Sequence, residues 1–227
     1  MRRLLRRWRM RPDALVIATH RVWKPAERRA AEGAYRGLAR RVAVMPDLEA
    51  AWLAAFRGGP GVLVLSGTGS VVFARDAAGR SSRIGGLGPL LGDEGSAFWI
   101  GREWAKSLPL EDALRYAHAR EPVAAIAGLA RAVLARRASS AACRFILQRA
   151  QGLLAAQAEA AAERLGMRRG VPVACHGGTF SDAGFRRGFL ALLARSPRGW
   201  TPVEAGLSAE EAAARWGLAG CRPGARV

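Results

Sequence analysis

Residues 62–70 read VLVLSGTGS, and residues 85–103 read GGLGPLLGDEGSAFWIGRE. The first stretch is a short apolar strand that runs into Gly67-Thr68-Gly69-Ser70, whose backbone N–H groups and hydroxyl can face an anion. The second is a glycine-rich loop that ends in Asp93 and Glu94 at the start of a helix. A phosphate suits the first loop, and a polyhydroxylated substrate or a metal ion suits the second. Together the two loops indicate nucleotide-dependent phosphoryl chemistry.

Each loop also has a purely structural interpretation. The segment 67–70 could be a tight hairpin turn, and Asp93 could be a helix cap, because a carboxylate is favoured at the positive end of a helix. A cap does not explain the five glycines among residues 85–95. The presence of both loops close together in the chain therefore favours a ligand-binding role.

The surrounding pattern predicts an α/β protein. A β-α-β-α segment comes first, a meander of three strands follows, and the rest is mainly helical. Short apolar runs predict strands at 14–18, 41–45, 62–66, 70–75, 81–84 and 171–175. Helical periodicity and end signals predict helices at 25–40, 47–56, 111–118, 122–137, 139–166 and 208–216. A further predicted helix runs to Arg195, with Ser181 or Asp182 as its cap.

Two further segments could face a ligand. Asp47 lies where a strand passes into a helix, and ligands of α/β folds bind at the carboxyl ends of strands. It is either a helix cap or a general base, and the residues alone leave these two roles equal. His176-Gly177-Gly178 follows a strand in the same way and indicates a nucleotide-facing turn or a simple helix entry.

The charge of the chain is strongly positive, but its pattern disfavours a nucleic-acid binder. The sequence has 36 Lys and Arg residues against 18 Asp and Glu, and lysine occurs only at Lys24 and Lys106. The arginines are scattered among alanines and glycines, which is typical of a compositional bias rather than of a basic face. No RNA-binding aromatic motif, zinc-finger spacing or recognition helix is present.

The sequence predicts a cytoplasmic protein. The basic residues 2–11 are interpreted as a helix end of the fold, with a membrane-surface helix as the alternative. No apolar run approaches the roughly 20 residues that cross a bilayer. Cys143, Cys175 and Cys221 are far apart and lack metal spacing, which is typical of reduced thiols.

The motifs G-T-G-S and G-G-x-G-x-x-x-G-D-E-G-S-x-x-W-I-G, followed by a strand that ends in G-G, resemble those of BadF/BadG/BcrA/BcrD-type ATPases. That family includes N-acetylglucosamine kinases and belongs to the actin-like/hexokinase/Hsp70 ATPase superfamily. The resemblance covers about residues 12–195. It implies an actin-like ATPase (ribonuclease H-like) fold, with an incomplete N-terminal lobe at residues 1–57 and a nearly complete C-terminal lobe at residues 58–227.

The resemblance also implies roles for individual residues. ATP phosphates would contact Gly67, Thr68 and Gly69, and the adenosine would pack against Gly177 and Gly178. Magnesium would accompany the ATP.

A sugar substrate, N-acetylglucosamine or a related sugar, would be bound by Gly86, Leu87, Gly88 and Asp93. Asp47 falls where the family has its substrate-binding carboxylate, the catalytic base in the kinases. A homodimer is a further expectation.

The chain departs from the family in one respect that bears on activity. Family members begin with a D-G-G-G-T-x-T loop that grips the β- and γ-phosphates, and no such segment occurs here. This predicts either a start site placed too late or a truncated or degenerate copy. The expected function is an ATP-dependent sugar kinase or its remnant. The alternatives are a non-catalytic sugar- or nucleotide-sensing module and an ATPase activator of an acyl-CoA reductase or dehydratase.

Overall fold

The computed structural model describes residues 12–20 and 22–220, together with Arg3 and Arg7. Most of the basic segment 2–11, and Cys221, therefore lie outside the described residues. The chain divides into two compact units: one extends to Gly59 and resumes at Ala205, and the other is Pro60–Glu204. They are described separately.

The first unit is built on a parallel strand pair. Strand β1 (Ala14–Thr19) and strand β2 (Arg41–Pro46) are joined by helix α1 (Pro25–Ala34), and the sequence predicted both strands. Helix α2 (Asp47–Phe56) follows β2 directly. Most of α2 is buried, and its Trp52 is only 1% exposed, so this helix forms the centre of the unit.

Helix α1 is shorter than the sequence predicted. The prediction ran to Arg40, whereas the helix ends at Ala34. Residues 35–40 form turns, and Gly37 adopts a φ of +83°, in the left-handed region that only glycine enters without strain. The prediction of a longer helix was therefore wrong in its last six residues.

The tail of the chain belongs to the first unit. Helix α9 (Ala209–Leu218) is capped by Ser208, whose hydroxyl accepts from the Glu211 N–H at 3.1 Å. It packs on α2 and β1, and Gly217 lies so close to Val16 that a Cβ would be 2.5 Å from its Cγ2. This differs from the sequence-based division, which placed all of 58–227 in one lobe, because an alanine-rich helix face does not reveal its packing partner.

The second unit contains a five-stranded mixed sheet in the order β5-β4-β3-β6-β7. Its strands are β3 (Gly61–Ser66), β4 (Ser70–Arg75), β5 (Ser81–Gly85), β6 (Pro172–His176) and β7 (Thr201–Pro202). The first three form an antiparallel meander, as predicted, and β3 pairs in parallel with β6. Because Leu65 is opposite His176, the carboxyl ends of β3 and β6 lie at the same edge of the sheet.

Six helices belong to the second unit, and the longest of them packs on this sheet. They are α3 (Ala97–Ala105), α4 (Leu110–Ala117), α5 (Pro122–Gly128), α6 (Ala130–Ala135), α7 (Ala141–Arg164) and α8 (Ala183–Leu193). The sequence predicted one helix over 122–137, and this was wrong, because the helix divides at Leu129. Asp182 caps α8, as the sequence allowed, by accepting from the Phe185 N–H at 2.8 Å.

The core of the second unit lies between the long helix α7 and the sheet. Small buried residues on α7, including Ala150, Ala158 and Ala161, have no exposed surface, and α7 contacts β3, β4 and β5. Small side chains let the helix backbone approach the sheet closely, so α7 acts as a rigid base for the loops at the sheet edge.

One prediction concerns the contact between α3 and α5. A Cβ at Gly101 would lie 1.9 Å from the Ile126 carbonyl oxygen, which is backbone and cannot rotate away. We expect Gly101→Ala to lower the free energy of unfolding by about 3 kcal/mol, at the upper end of overpacking effects. Urea denaturation followed by circular dichroism measures this change.

Gly152→Ala is the matched control. Gly152 lies within α7 with nothing within 4 Å of its would-be Cβ, so alanine there should raise the free energy of unfolding by roughly 0.5–1 kcal/mol through helix propensity. Equal stability of the two variants would contradict the close contact between α3 and α5.

Candidate active site

The G-T-G-S segment is a hairpin loop between β3 and β4. Ser66 and Ser70 are paired across the hairpin, and the Gly67 N–H donates to the Gly69 carbonyl at 2.9 Å. Thr68 is exposed at the tip of the loop. The segment is therefore a tight hairpin turn, and this does not exclude ligand binding, because the exposed Thr68 hydroxyl and the backbone beside it remain available to a ligand.

Helix α3 begins against this hairpin. Its first two N–H groups, those of Ala97 and Phe98, donate to the carbonyls of Gly67 and Thr68 at 2.8 and 3.2 Å. Free N–H groups at a helix start carry partial positive charge. The hairpin carbonyls take up this charge, so the start of α3 fixes the position of the hairpin.

Two buried serines join the hairpin to the second loop. The Ser66 hydroxyl donates to the Gly95 carbonyl at 2.9 Å, and the Ser70 hydroxyl donates to the Glu94 carbonyl at 2.7 Å. Both serines are at most 3% exposed. The two loops that the sequence analysis treated separately thus form one hydrogen-bonded structure.

Asp93 points its carboxylate at the hairpin backbone. Its Oδ1 accepts from the Ser70 N–H at 3.4 Å, and its Oδ2 would be 2.7 Å from a Cβ at Gly69. The residue is 7% exposed and has a φ of +59°. Gly69 is therefore required for this close approach, and the predicted contact of Asp93 with a sugar stays a prediction.

Burial is the main influence on the pKa of Asp93. It raises the pKa of the carboxyl above its ordinary value, because the charged form loses hydration, and the nearby charge of Glu94 acts in the same direction. The backbone N–H groups of Ser70 and Gly88 oppose the shift by stabilising the carboxylate.

The glycine loop that precedes Asp93 presents backbone and leucines to solvent. Gly85, Gly86 and Gly88 have φ values of +73°, +67° and +82°. The Gly86 N–H donates to the Ser70 carbonyl at 3.0 Å, which attaches the loop to the hairpin. Leu87 is 65% exposed. Of the residues predicted to bind a sugar, Leu87 is thus exposed, Gly86 and Gly88 are partly exposed, and Asp93 is buried.

Gln157, a glutamine on α7, contacts the same glycine loop. The Gln157 Nε2 donates to Glu94 Oε2 at 3.2 Å, and a Cβ at Gly85 would lie 3.1 Å from Gln157 Oε1. Glu94 therefore has a partner within the protein. Sequence reasoning did not single out Gln157, since a lone polar residue on a long helix gives no signal of its contacts.

The H-G-G segment lies beside the hairpin. Gly177 has a φ of +101°, and a Cβ there would be 2.5 Å from the Ser66 carbonyl oxygen. A short 3-10 helix, Gly178–Ser181, follows immediately. The structure thus brings the two predicted nucleotide segments to adjacent positions at one sheet edge.

A cavity of about 560 Å³ opens between these segments and the helices α5 and α6. Pockets for small ligands commonly have volumes of about 300–1,000 Å³. The walls are the hairpin, the turn after β6 and a largely small-residue helical surface, with Gly67, Thr68, Gly178, Thr179, Ala127, Ala130 and Arg131 among the lining residues. The helical wall has no signal in the sequence, because alanines and glycines on helices indicate only close packing.

Asp47 belongs to the first unit. It is the first residue of α2 and is exposed, and its Oδ1 accepts from the Leu48 N–H at 2.8 Å. Pro46, rather than Asp47, occupies the cap position. The carboxylate is therefore accessible at the carboxyl end of β2.

The described residues contain neither a three-ligand metal cluster nor a membrane-spanning helix. Across residues 12–20 and 22–220, no group of three or more His, Cys, Asp or Glu side chains is arranged to hold a metal ion. In the same part of the chain, no helix is long and apolar enough to span a membrane.

Comparison with known proteins identifies a family. Residues 30–216 match the sequence profile described as the BadF/BadG/BcrA/BcrD ATPase family. A stretch of 61 residues is 43% identical to the N-acetylmuramic acid/N-acetylglucosamine kinase of Clostridium acetobutylicum. That stretch is 27% of this chain, and the match spans only 20% of that relative.

Solved structures share the fold. A candidate N-acetylglucosamine kinase from Chromobacterium violaceum superposes with a TM-score of 0.70 and 24% identity, over 90% of this chain and 77% of that one. A second, from Porphyromonas gingivalis, gives a TM-score of 0.65 and 18% identity, over 92% and 78% of the two chains. The α/β, actin-like ATPase fold that the sequence predicted is confirmed.

A prediction follows from the burial of Asp93. Because its pKa is raised in the folded state, the folded protein holds the proton more tightly than the unfolded chain. Stability from this group is therefore full at low pH and is lost as the pH rises from the ordinary value of 3.8 through the raised pKa. An asparagine at this position cannot titrate, so the free energy of unfolding of wild type minus that of Asp93→Asn should fall over this window.

Urea denaturation of both proteins at a series of pH values from about 4 to 7 tests this, the lower limit being the ordinary carboxyl pKa. A difference that stays constant, or that grows with pH, would show that the hydrogen bonds to Ser70 and Gly88 outweigh burial.

Proposed function

This chain belongs to the BadF/BadG/BcrA/BcrD ATPase family, and we propose that it is an ATP-dependent sugar kinase of the N-acetylglucosamine kinase type. The observation that carries the proposal is the cavity of about 560 Å³, which is lined by Gly67 and Thr68 of the hairpin and by Gly178 of the turn after β6. Its size and its glycine-rich edges suit a nucleotide.

The nucleotide contacts are proposed as follows. Gly67, Thr68 and Gly69 approach the phosphates, since glycines let the backbone come close and the exposed Thr68 hydroxyl is a donor. Gly177 and Gly178 lie against the adenosine. Both segments border the same cavity or flank its lining residues, which supports their acting together.

Magnesium would come with the nucleotide. Among the described residues no three-ligand cluster is available, and Mg²⁺ commonly binds through substrate phosphates with few protein ligands. We therefore assign it no protein ligands. When bound, it would neutralise phosphate charge.

The sugar is proposed to bind at the glycine loop. Leu87 is exposed there, and Gly86 and Gly88 are partly exposed beside it. Asp93 fixes this loop to the hairpin and is proposed to contact a sugar hydroxyl as well. N-acetylglucosamine or a related amino sugar is the proposed substrate.

Asp47 is proposed as the general base. It would accept the proton of the sugar hydroxyl while the hydroxyl oxygen bonds to the γ-phosphorus of ATP and the bond to ADP breaks. Its exposure at the end of β2 supports this role. Most of the rate enhancement would come from positioning the two substrates.

The ATPase-activator alternative is disfavoured by the described cysteines. An iron–sulfur cluster is held by thiolates. Cys143 is completely buried on α7, and burial raises the pKa of the Cys175 thiol to about 12. Cys143 therefore has no surface at which it could reach a cluster, and the described residues contain no group of three or more His, Cys, Asp or Glu placed to hold a metal. A cytoplasmic location and a homodimer remain further parts of the proposal.

The test is an assay of ADP release with Mg-ATP and either N-acetylglucosamine or N-acetylmuramic acid. We expect turnover, and we expect Asp47→Asn to lower kcat by at least 100-fold, because a general base contributes about 10²–10⁴-fold. The control is Asp112→Asn, a half-exposed carboxylate on α4 that forms an ion pair with Arg115 at 3.0 Å, and it should stay within about twofold of wild type, as surface changes do.

Two results would contradict the proposal. If calorimetry shows sugar binding but the assay shows no ADP release, the kinase proposal is refuted and the sensing module is supported. If Asp47→Asn has the full wild-type activity, the protein is still a kinase, but Asp47 is not its general base.

A further inference from the structure

Arg83 lies on β5 and contacts the glycine loop, residues 85–92, that follows this strand. Its Nη2 donates to the Gly86 carbonyl at 2.6 Å. A guanidinium is always charged, and a hydrogen bond from a charged donor is stronger than one between neutral groups. The proposed sugar-binding loop is therefore tied to the sheet by a strong bond to its own backbone.

Gly86 is held through both of its backbone polar groups. Its N–H donates to the Ser70 carbonyl at 3.0 Å, while its carbonyl accepts from Arg83. A Cβ at Gly86 would lie 2.7 Å from Arg83 Nη2 and 3.1 Å from Val71 Cγ2. The lack of a side chain at this position thus lets the guanidinium reach the carbonyl.

The Arg83 bond also orients the next N–H group of the loop. The Gly86 carbonyl and the Leu87 N–H belong to one planar trans peptide, in which they point in opposite directions. Fixing the carbonyl therefore fixes the direction of the Leu87 N–H. That N–H has no hydrogen-bond partner within residues 12–20 and 22–220, and Leu87 is 65% exposed. It is a backbone donor that the described part of the protein does not use.

Arg83 and Gln157 hold the loop from the two faces of the sheet. Successive side chains of a strand point to opposite faces. Ile84 packs against the core that includes α7, so Arg83 lies on the other face, where Phe73 is its partner in the strand register. Gln157 of α7 bonds to the Glu94 side chain. Arg83 bonds to the loop backbone itself and therefore acts more directly on its conformation.

We propose that Arg83 is a positioning residue for the sugar, because its guanidinium holds the peptide between Gly86 and Leu87 in the orientation in which the Leu87 N–H donates to a sugar oxygen. This inference rests on the proposed function, since it requires a sugar at the glycine loop. The nucleotide hairpin has separate attachments, namely the Ser66 hydroxyl and the first N–H groups of α3. Loss of the Arg83 bond should therefore weaken sugar binding and leave nucleotide binding intact.

The experiment measures the steady-state kinetics of the full chain with Mg-ATP and whichever of N-acetylglucosamine and N-acetylmuramic acid is turned over faster. Arg83→Met keeps an unbranched apolar stem and removes the donor. It should raise the KM for the sugar by about 10-fold, the effect of losing one hydrogen bond from a charged group. The KM for ATP and kcat should stay within about threefold of wild type, as they do when only substrate binding is weakened. Arg83→Lys keeps a cationic donor and should return the sugar KM to within about threefold of wild type.

Arg80→Met is the matched control. Arg80 precedes β5, at the end of the strand away from the loop, and its Nη2 donates to the Leu165 carbonyl at 3.2 Å. The control therefore loses the same kind of bond without touching the loop, and both KM values should stay within about twofold of wild type, as for a surface change. An equal rise of the sugar KM in Arg80→Met would show a general effect of losing an arginine and would overturn the inference.

The unfolding temperature and the KM for ATP separate positioning from a structural role. If Arg83→Met lowers the unfolding temperature and raises both KM values alike, Arg83 supports the fold as a whole and the inference is overturned. If the wild type turns over but Arg83→Met keeps the wild-type sugar KM, this inference alone is refuted. If the wild type neither binds nor phosphorylates either sugar, the proposed function is refuted with it.

Discussion

The candidate site depends on the hydrogen bonds that join the hairpin to the second loop. Ser66 and Ser70 donate to carbonyls of residues 94 and 95, and the Asp93 carboxylate accepts from the hairpin backbone. These groups are buried, so their bonds form where water does not compete. Together with the α3 N–H groups that donate to the carbonyls of Gly67 and Thr68, this connection sets the position of the hairpin beside the cavity.

This connection gives several of the glycines a structural role. Gly69 lies against Asp93 Oδ2, and Gly177 lies against the Ser66 carbonyl oxygen. A Cβ at Gly95 would be 2.5 Å from Leu154 of α7. Each of these glycines allows a close approach within the protein, so a glycine-rich motif here serves packing as well as ligand contact. Gly67, with nothing within 4 Å of its would-be Cβ, is free of such a constraint.

Patterns along the chain were sufficient for the elements but not for their contacts. The strands of the meander, the Asp182 cap and the two glycine segments follow from local alternation and turn residues, and all are present. The end of α1 at Ala34 and the break at Leu129 were missed, because helix propensity continues past both. The direction of the Asp93 carboxylate depends on how the two loops pack together, and residue spacing along the chain does not predict this.

Buried polar groups at this sheet edge fall into two kinds. Ser66, Ser70 and Asp93 have partners in the protein, and these hydrogen bonds form whether or not a ligand is bound. The Thr179 hydroxyl has none among the described residues, so its burial opposes folding. The same sheet edge therefore combines groups that hold the two loops in place with a buried hydroxyl that the described part of the protein leaves unpaired.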